Sequence, residues 1–289
     1  MIYKNKTYDE ERALYGLRDS RVEGCVFDGP ADGESALKEC KNIEVKGCLF
    51  NLRYPFWHVD DATINDVTMT ENCRAALWYD SDIRICKSKL HGIKALRECH
   101  GITIENCDIS SEEFCWKVNG IFIKDSKLVS KYPFFECCYM TVQNLEMSGK
   151  YSFQYVENAE LRDCVFKTKD AFWHAKNVTV YDSVIEGEYL AWYSENLRLV
   201  NCKIKGTQPF CYCKGLVLEN CTMDDADLCF ENSEVEADVK GHIISVKNPM
   251  DGFVRADSIG EIIWDDEHRT HSRCNVTALA DSALWETVK

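Results

Sequence analysis

Proline and glycine are scarce, five and fifteen in 289 residues, too few for a long flexible linker. Basic charge is scarce as well. Lys and Arg number 34 against 48 Asp and Glu, a formal net charge of −14, which argues against a nucleic-acid partner because phosphate binding needs a basic field. No stretch approaches the ~18 apolar residues of a membrane-spanning helix, so no membrane association is expected. The opening MIYKNKTYDEERAL holds no apolar signal-like core, and the expectation is a cytoplasmic protein. There is no phosphate-binding glycine loop, no nucleophile elbow and no zinc-protease helix. CysTyrCys at 211–213 and Cys137-Cys138 lack a spaced second pair, so neither a metal nor another cofactor is expected.

What is present in excess is cysteine, 17 residues. An odd count without a dense knot disfavours a disulfide framework. The positions of the cysteines follow an internal repeat. IEVKGCLF (43–50), ITIENCDI (102–109), AELRDCVF (159–166), LRLVNCKI (197–204) and LVLENCTM (216–223) share one frame: apolar, any, apolar, any, turn, small, any, apolar. The small position recurs every 19 residues at Cys107, Ser126, Leu145, Cys164, Ser183, Cys202 and Cys221. Looser copies reach back through Ser88, Val67, Cys48 and Cys25.

Period-2 alternation within the frame means strand, with pairs such as Ile102/Ile104 and Val178/Val180 pointing inward. Two columns of Gly, Asn and Asp supply corners that need positive φ. One runs Gly24, Gly47, Asp66, Asn106 to Asn220, and the other Asn42, Asp61, Asp82, Gly101 to Gly215, broken by Tyr139. A looser third corner appears at Ser111, Ser130, Gly149, Gly187 and Gly206. Three short strands and three corners per 19 residues describe an all-β, single-stranded parallel β-helix of about twelve coils, right-handed as parallel crossovers are. A leucine-rich repeat is the rival, disfavoured by mixed β-branched and aromatic core positions and a period below 20. The stacked cysteines then read as small buried hydrophobes.

The chain reads as one domain, 1–289. TYDEERALYGL (7–17) has helix-start residues and predicts a short capping helix within an N-terminal cap at 1–19. Regular coils are expected over 20–241, followed by an irregular final turn and tail at 242–289.

One pair of adjacent columns breaks the alternation. The first reads Lys38, Trp57, Trp78, Arg97, Trp116, Phe135, Gln154, Trp173, Trp192, Cys211, Phe230. The second reads Glu39, His58, Tyr79, Glu98, Lys117, Glu136, Tyr155, His174, Tyr193, Tyr212, Glu231. Two residues between inward positions predict a bend with both side chains at least partly exposed. Aromatic rings stack on sugar faces, and carboxylates and imidazoles bond hydroxyls or transfer protons. Trp57, His58, Trp78, Tyr79, Arg97, Trp116, Tyr155, Trp173, Trp192, Tyr193 and Tyr212 are therefore the candidate ligand-binding residues. Glu98 and Glu136, two coils apart, are spaced for an inverting acid pair, and Lys117 and His174 complete the catalytic candidates. Against that, Glu98-Lys117-Glu136 is also an ordinary surface charge ladder. The expected partner is a glycan or small polar ligand. The alternative is a structural or assembly protein whose rings are core or a homo-oligomer contact, without activity.

The phrases FWHVDD (56–61), LWYDSDI (77–83), YPFFEC (132–137), FQYVENAEL (153–161), FWHAKNVTV (172–180), LAWYSENL (190–197) and ISVKNP (244–249) resemble a bacterial family of unknown function, numbered 3737 among such domains. The resemblance implies a pectin-lyase-like right-handed β-helix. It implies no activity, though the wider superfamily contains polysaccharide lyases and hydrolases. The aspartate motifs of its hydrolases and the calcium-aspartate cluster of its lyases are not recognisable here.

Overall fold

The computed structural model describes residues 1–29 and 34–279. The chain forms two compact units, Met1–Gly149 and Lys150–Lys289. In each, a six-residue strand pairs in parallel with its copy one coil away. Unit 1 stacks Arg18–Glu23, Lys41–Lys46, Asp60–Asn65, Ser81–Cys86 and His100–Glu105 in this way. Unit 2 stacks Glu157–Arg162, Lys176–Tyr181 and Glu195–Val200. Ile83 pairs with Ile102 and Ile102 with Ile121, so each inward column is continuous. Fully buried phenylalanines fill the interior: Phe27, Phe50 and Phe56 in unit 1, Phe153, Phe166 and Phe172 in unit 2.

The solenoid has about 14 turns rather than twelve, and no N-terminal capping helix. Residues 7–17 wind as a coil instead. Thr7–Tyr8 pairs with Val26–Phe27, and the Leu14 amide donates to Ala36 O at 2.9 Å, which seats Leu14 below Leu37. An apolar stripe that suits a helix also suits an inward rung, and here the backbone of the next coil satisfies the amides. The extra turns at the other end come from His242–Lys247 on Ser258–Ile263 and Asp251–Ala256 on Arg273–Ala278. The only helix among the described residues is Asp266–His271. The end of the expected tail, 280–289, lies outside the described residues.

The cysteines do more than fill volume. Where the small position holds Ser or Cys, the side chain can accept the amide N–H of the coil before it and donate to the carbonyl two residues back. Ser126 Oγ accepts from Cys107 N at 3.1 Å and donates to Lys124 O at 2.8 Å. Cys48 Sγ does the same with Cys25 N at 3.4 Å and Lys46 O at 3.3 Å. Burial pushes the Cys48 and Cys107 thiols up to about 11, so they remain protonated donors. All 17 cysteines are free.

Candidate functional site

The predicted bend is real, and its cause is a left-handed residue in each coil from Glu39 to Tyr212; around Glu231 the left-handed residues are its neighbours Phe230 and Asn232 instead. Glu39, His58, Tyr79, Glu98, Lys117 and Glu136 in unit 1, and Tyr155, His174, Tyr193 and Tyr212 in unit 2, all have φ between 51° and 61°. The Asn, Asp and Gly columns are left-handed as expected, and so are their exceptions, Lys87 and Tyr139. The bend column contains no Gly, Asn or Asp, which is why residue preference did not reveal it.

In unit 1 the first rungs run as two-residue strands, Phe56–Trp57, Leu77–Trp78 and Leu96–Arg97, in parallel register. Trp57 and Trp78 stack at 5.5 Å and 12°, and His58 stacks on Tyr79 at 5.2 Å and 13°. Lys38 Nζ lies 3.8 Å above the Trp57 ring. Arg97 lies 5.2 Å over Trp116 and reaches Glu113 at 3.4 Å. Tyr79 is hydrogen-bonded to Glu98, which raises its phenol. Lys117 meets Glu136 at 3.6 Å, both about half exposed. Each candidate acid thus engages a different neighbour, and Lys117 stands in the column between them.

Unit 2 carries an unbroken ring stack. Tyr155–His174 are 4.9 Å apart at 6°, His174–Tyr193 5.0 Å at 8°, and Tyr193–Tyr212 4.8 Å at 10°. Trp173 and Trp192 stack beside them at 5.4 Å. Their indole N–H groups donate to Tyr189 O at 2.7 Å and Gln208 O at 2.8 Å, as Trp116 donates to Tyr132 O at 2.7 Å in unit 1. The rings therefore cover one another's faces. What they offer outward is rims, with Tyr155 47% and Tyr193 43% exposed. Sugar stacking on ring faces, the expected use of this column, has no free face within the stack. Burial, then Glu231, raises the Tyr212 phenol.

The sequence reading missed Asp80. It occupies the inward cysteine–valine column between Val59 and Cys99 and is fully buried. Its Oδ1 accepts from Val59 N at 2.7 Å, and its Oδ2 has no partner among the described residues. Burial holds its carboxyl well above the usual range. The signal was available as the one acid in that column. Among the described residues no group of three or more His, Cys, Asp or Glu could hold a metal, and no helix is long and apolar enough to cross a membrane. Shallow hollows of about 440 Å³ (Asp19, Asn42, Asp61) and about 320 Å³ (Gly215, Glu234, Asp251) lie at other corners.

Coil, corner columns and stacked interior define a parallel β-solenoid. The chain belongs to the family described as "Protein of unknown function (DUF3737)", whose model matches residues 1–277. No curated protein matches it by sequence. Among solved structures it is similar to PfbA, a surface adhesin of Streptococcus pneumoniae, with a TM-score of 0.54, 9% identity, and 83% of this chain and 84% of that chain covered. It is also similar to the Azotobacter vinelandii mannuronan C-5 epimerase AlgE6 A-module, with a TM-score of 0.35, 11% identity and coverage of 96% and 87%. Likeness at these identities shows the fold alone.

Proposed function

We propose that the protein is a non-catalytic binding scaffold that holds a hydroxyl-rich ligand, a glycan, against the rims of the unit 2 ring stack. The observation that carries this is the continuous stack of rings at the bend, whose polar rims reach solvent. A left-handed residue other than glycine costs roughly 1–2 kcal/mol. The Asn, Asp and Gly columns meet that demand with residues that tolerate it, whereas Tyr155, His174, Tyr193 and Tyr212 do not, and neither do the buried Phe153, Phe172, Ala191 and Phe210 two residues before them. What sets the bend residues apart from those equally left-handed core residues is exposure: the Tyr155 and Tyr193 rims reach solvent, whereas Phe153, Phe172 and Phe210 are buried. Phenol oxygens and imidazole nitrogens repeat once per coil along the stack, both donors and acceptors, as hydroxyls require. Glu98 is engaged by Tyr79 and Glu136 by Lys117, which favours binding over acid–base chemistry.

The covered ring faces favour one other reading, in which stacking offsets the strain and the exposed rims seat a second copy of the chain. A glycan array separates the two. The intact protein should bind neutral oligosaccharides, and Tyr155→Asn/Tyr193→Asn should abolish binding while leaving the melting temperature nearly unchanged. No glycan bound, together with a stable oligomer in light scattering that the double variant dissociates, would favour assembly.

A further inference from the structure

Among the buried polar atoms of unit 1 without a hydrogen-bond partner in the described residues are three donors, Trp57 Nε1, Trp78 Nε1 and Arg97 Nε; the Trp78 indole lies near enough to the Tyr79 phenol to pull its pKa down but closes no bond with it. The three donors form one row. Trp57 pairs with Trp78, and Trp78 with Arg97, in parallel register, so the row repeats at about the 4.8 Å strand spacing. The same column is satisfied elsewhere, where Trp116, Trp173 and Trp192 donate to a backbone carbonyl three residues before the next column member. The equivalent carbonyls here, Ala75 and Lys94, do not accept. A buried unpaired donor is costly, and three in consecutive coils are hard to retain without an acceptor.

The chemistry of the missing partner follows from the row. All three groups are donors. The neighbouring unpaired acceptor, Asp80 Oδ2, belongs to the inward column. A hydroxyl ligand would bring donors of its own, whereas a carboxylate brings acceptors only. The row ends on cations, with Lys38 over Trp57 and the Arg97 guanidinium opposite. Glu113 takes Arg97 Nη1 at 3.4 Å and leaves Nε unpaired. The Tyr54 ring packs 5.7 Å from Trp57 and 6.0 Å from Trp78. We infer that this row is a binding site for a carboxylate-bearing ligand, whose oxygens accept from the Trp57 and Trp78 indoles and Arg97 Nε once the Tyr54 ring swings aside. The site is separate from the unit 2 stack and does not depend on neutral glycan binding there.

The test is calorimetric titration of the intact protein with sodium glucuronate and with sodium glutarate, and glucose as the neutral control. Saturable binding of an acid but not of glucose is expected. Glucuronate alone would identify a sugar acid, and both acids would identify the carboxylate itself as the recognised group. Trp57→Phe and Trp78→Phe keep a ring but lose the N–H, and each should weaken binding roughly tenfold without lowering the melting temperature. Tyr54→Ala should speed association. If neither acid binds the parent or Tyr54→Ala, or the Phe variants bind as well as the parent, ordered water alone satisfies the row and the inference fails.

Discussion

In unit 1 the bend column runs Glu39, His58, Tyr79, Glu98, Lys117, Glu136; in unit 2 it runs Tyr155, His174, Tyr193, Tyr212. The backbone is left-handed at every one of these positions, yet the chemistry diverges. Unit 2 gathers uncharged rings into one continuous stack and returns its indole N–H groups to the backbone. Unit 1 intersperses rings with charges, leaves two indoles without an acceptor and buries an acid behind them. One corner geometry therefore supports two surfaces. Unit 2 is locally satisfied, and unit 1 carries unmet hydrogen-bonding demand.

If that difference is confined to the bend, the cores beneath should be equivalent. Phe56 and Phe172 are both fully buried, and Phe56→Ala and Phe172→Ala should each cost about 3–5 kcal/mol in chemical denaturation. A unit 1 value far below that of unit 2 would show that the difference reaches the core.

Asp80 gives the next largest effect. Burial raises its carboxyl, while the backbone N–H groups of Val59 and Trp78 pull weakly the other way. The folded protein binds this proton more tightly than the unfolded chain does. Stability should therefore fall as pH rises from the unfolded value near ~4 through the raised folded one. Asp80→Ser keeps an acceptor for the Val59 amide, as Ser88 does for Val67. It should be more stable than the parent by about 1–3 kcal/mol at neutral pH, with a flatter pH profile of urea midpoints. Parallel profiles for the two proteins would refute the buried-acid account.

Indole substitution compares the units directly. Trp173→Phe removes a donor from Tyr189 O and should cost about 1 kcal/mol, whereas Trp57→Phe removes an unpaired N–H and should cost less or nothing. Equal losses in thermal unfolding would erase the distinction. The smallest effect belongs to Lys117→Ala, which breaks an exposed pair with Glu136 and should change stability by at most ~0.5 kcal/mol, vanishing in high salt.

Much of this was legible in the residues. Cys107, Ser126 and Cys164 at 19-residue intervals marked the rung, and Asn106, Asp125 and Asp163 marked its corner. The N-terminal segment was misread because Leu14 fits an apolar stripe of either period, and only pairing with Ala36 chooses between them. The bend residues showed where alternation failed but not how, since Glu, Tyr and Lys, which fill most of the column, carry no preference for positive φ.

The sequence by itself determined the period, the corners and the inward columns, because a one-dimensional repeat makes every coil answer to its neighbours through the same positions. Only the tertiary structure decided that the rings cover one another's faces, that thiols bridge amide to carbonyl, and which indoles lack an acceptor. Those outcomes depend on where the adjacent coil places a carbonyl or a ring, at distances of a few ångströms that spacing along the chain does not encode.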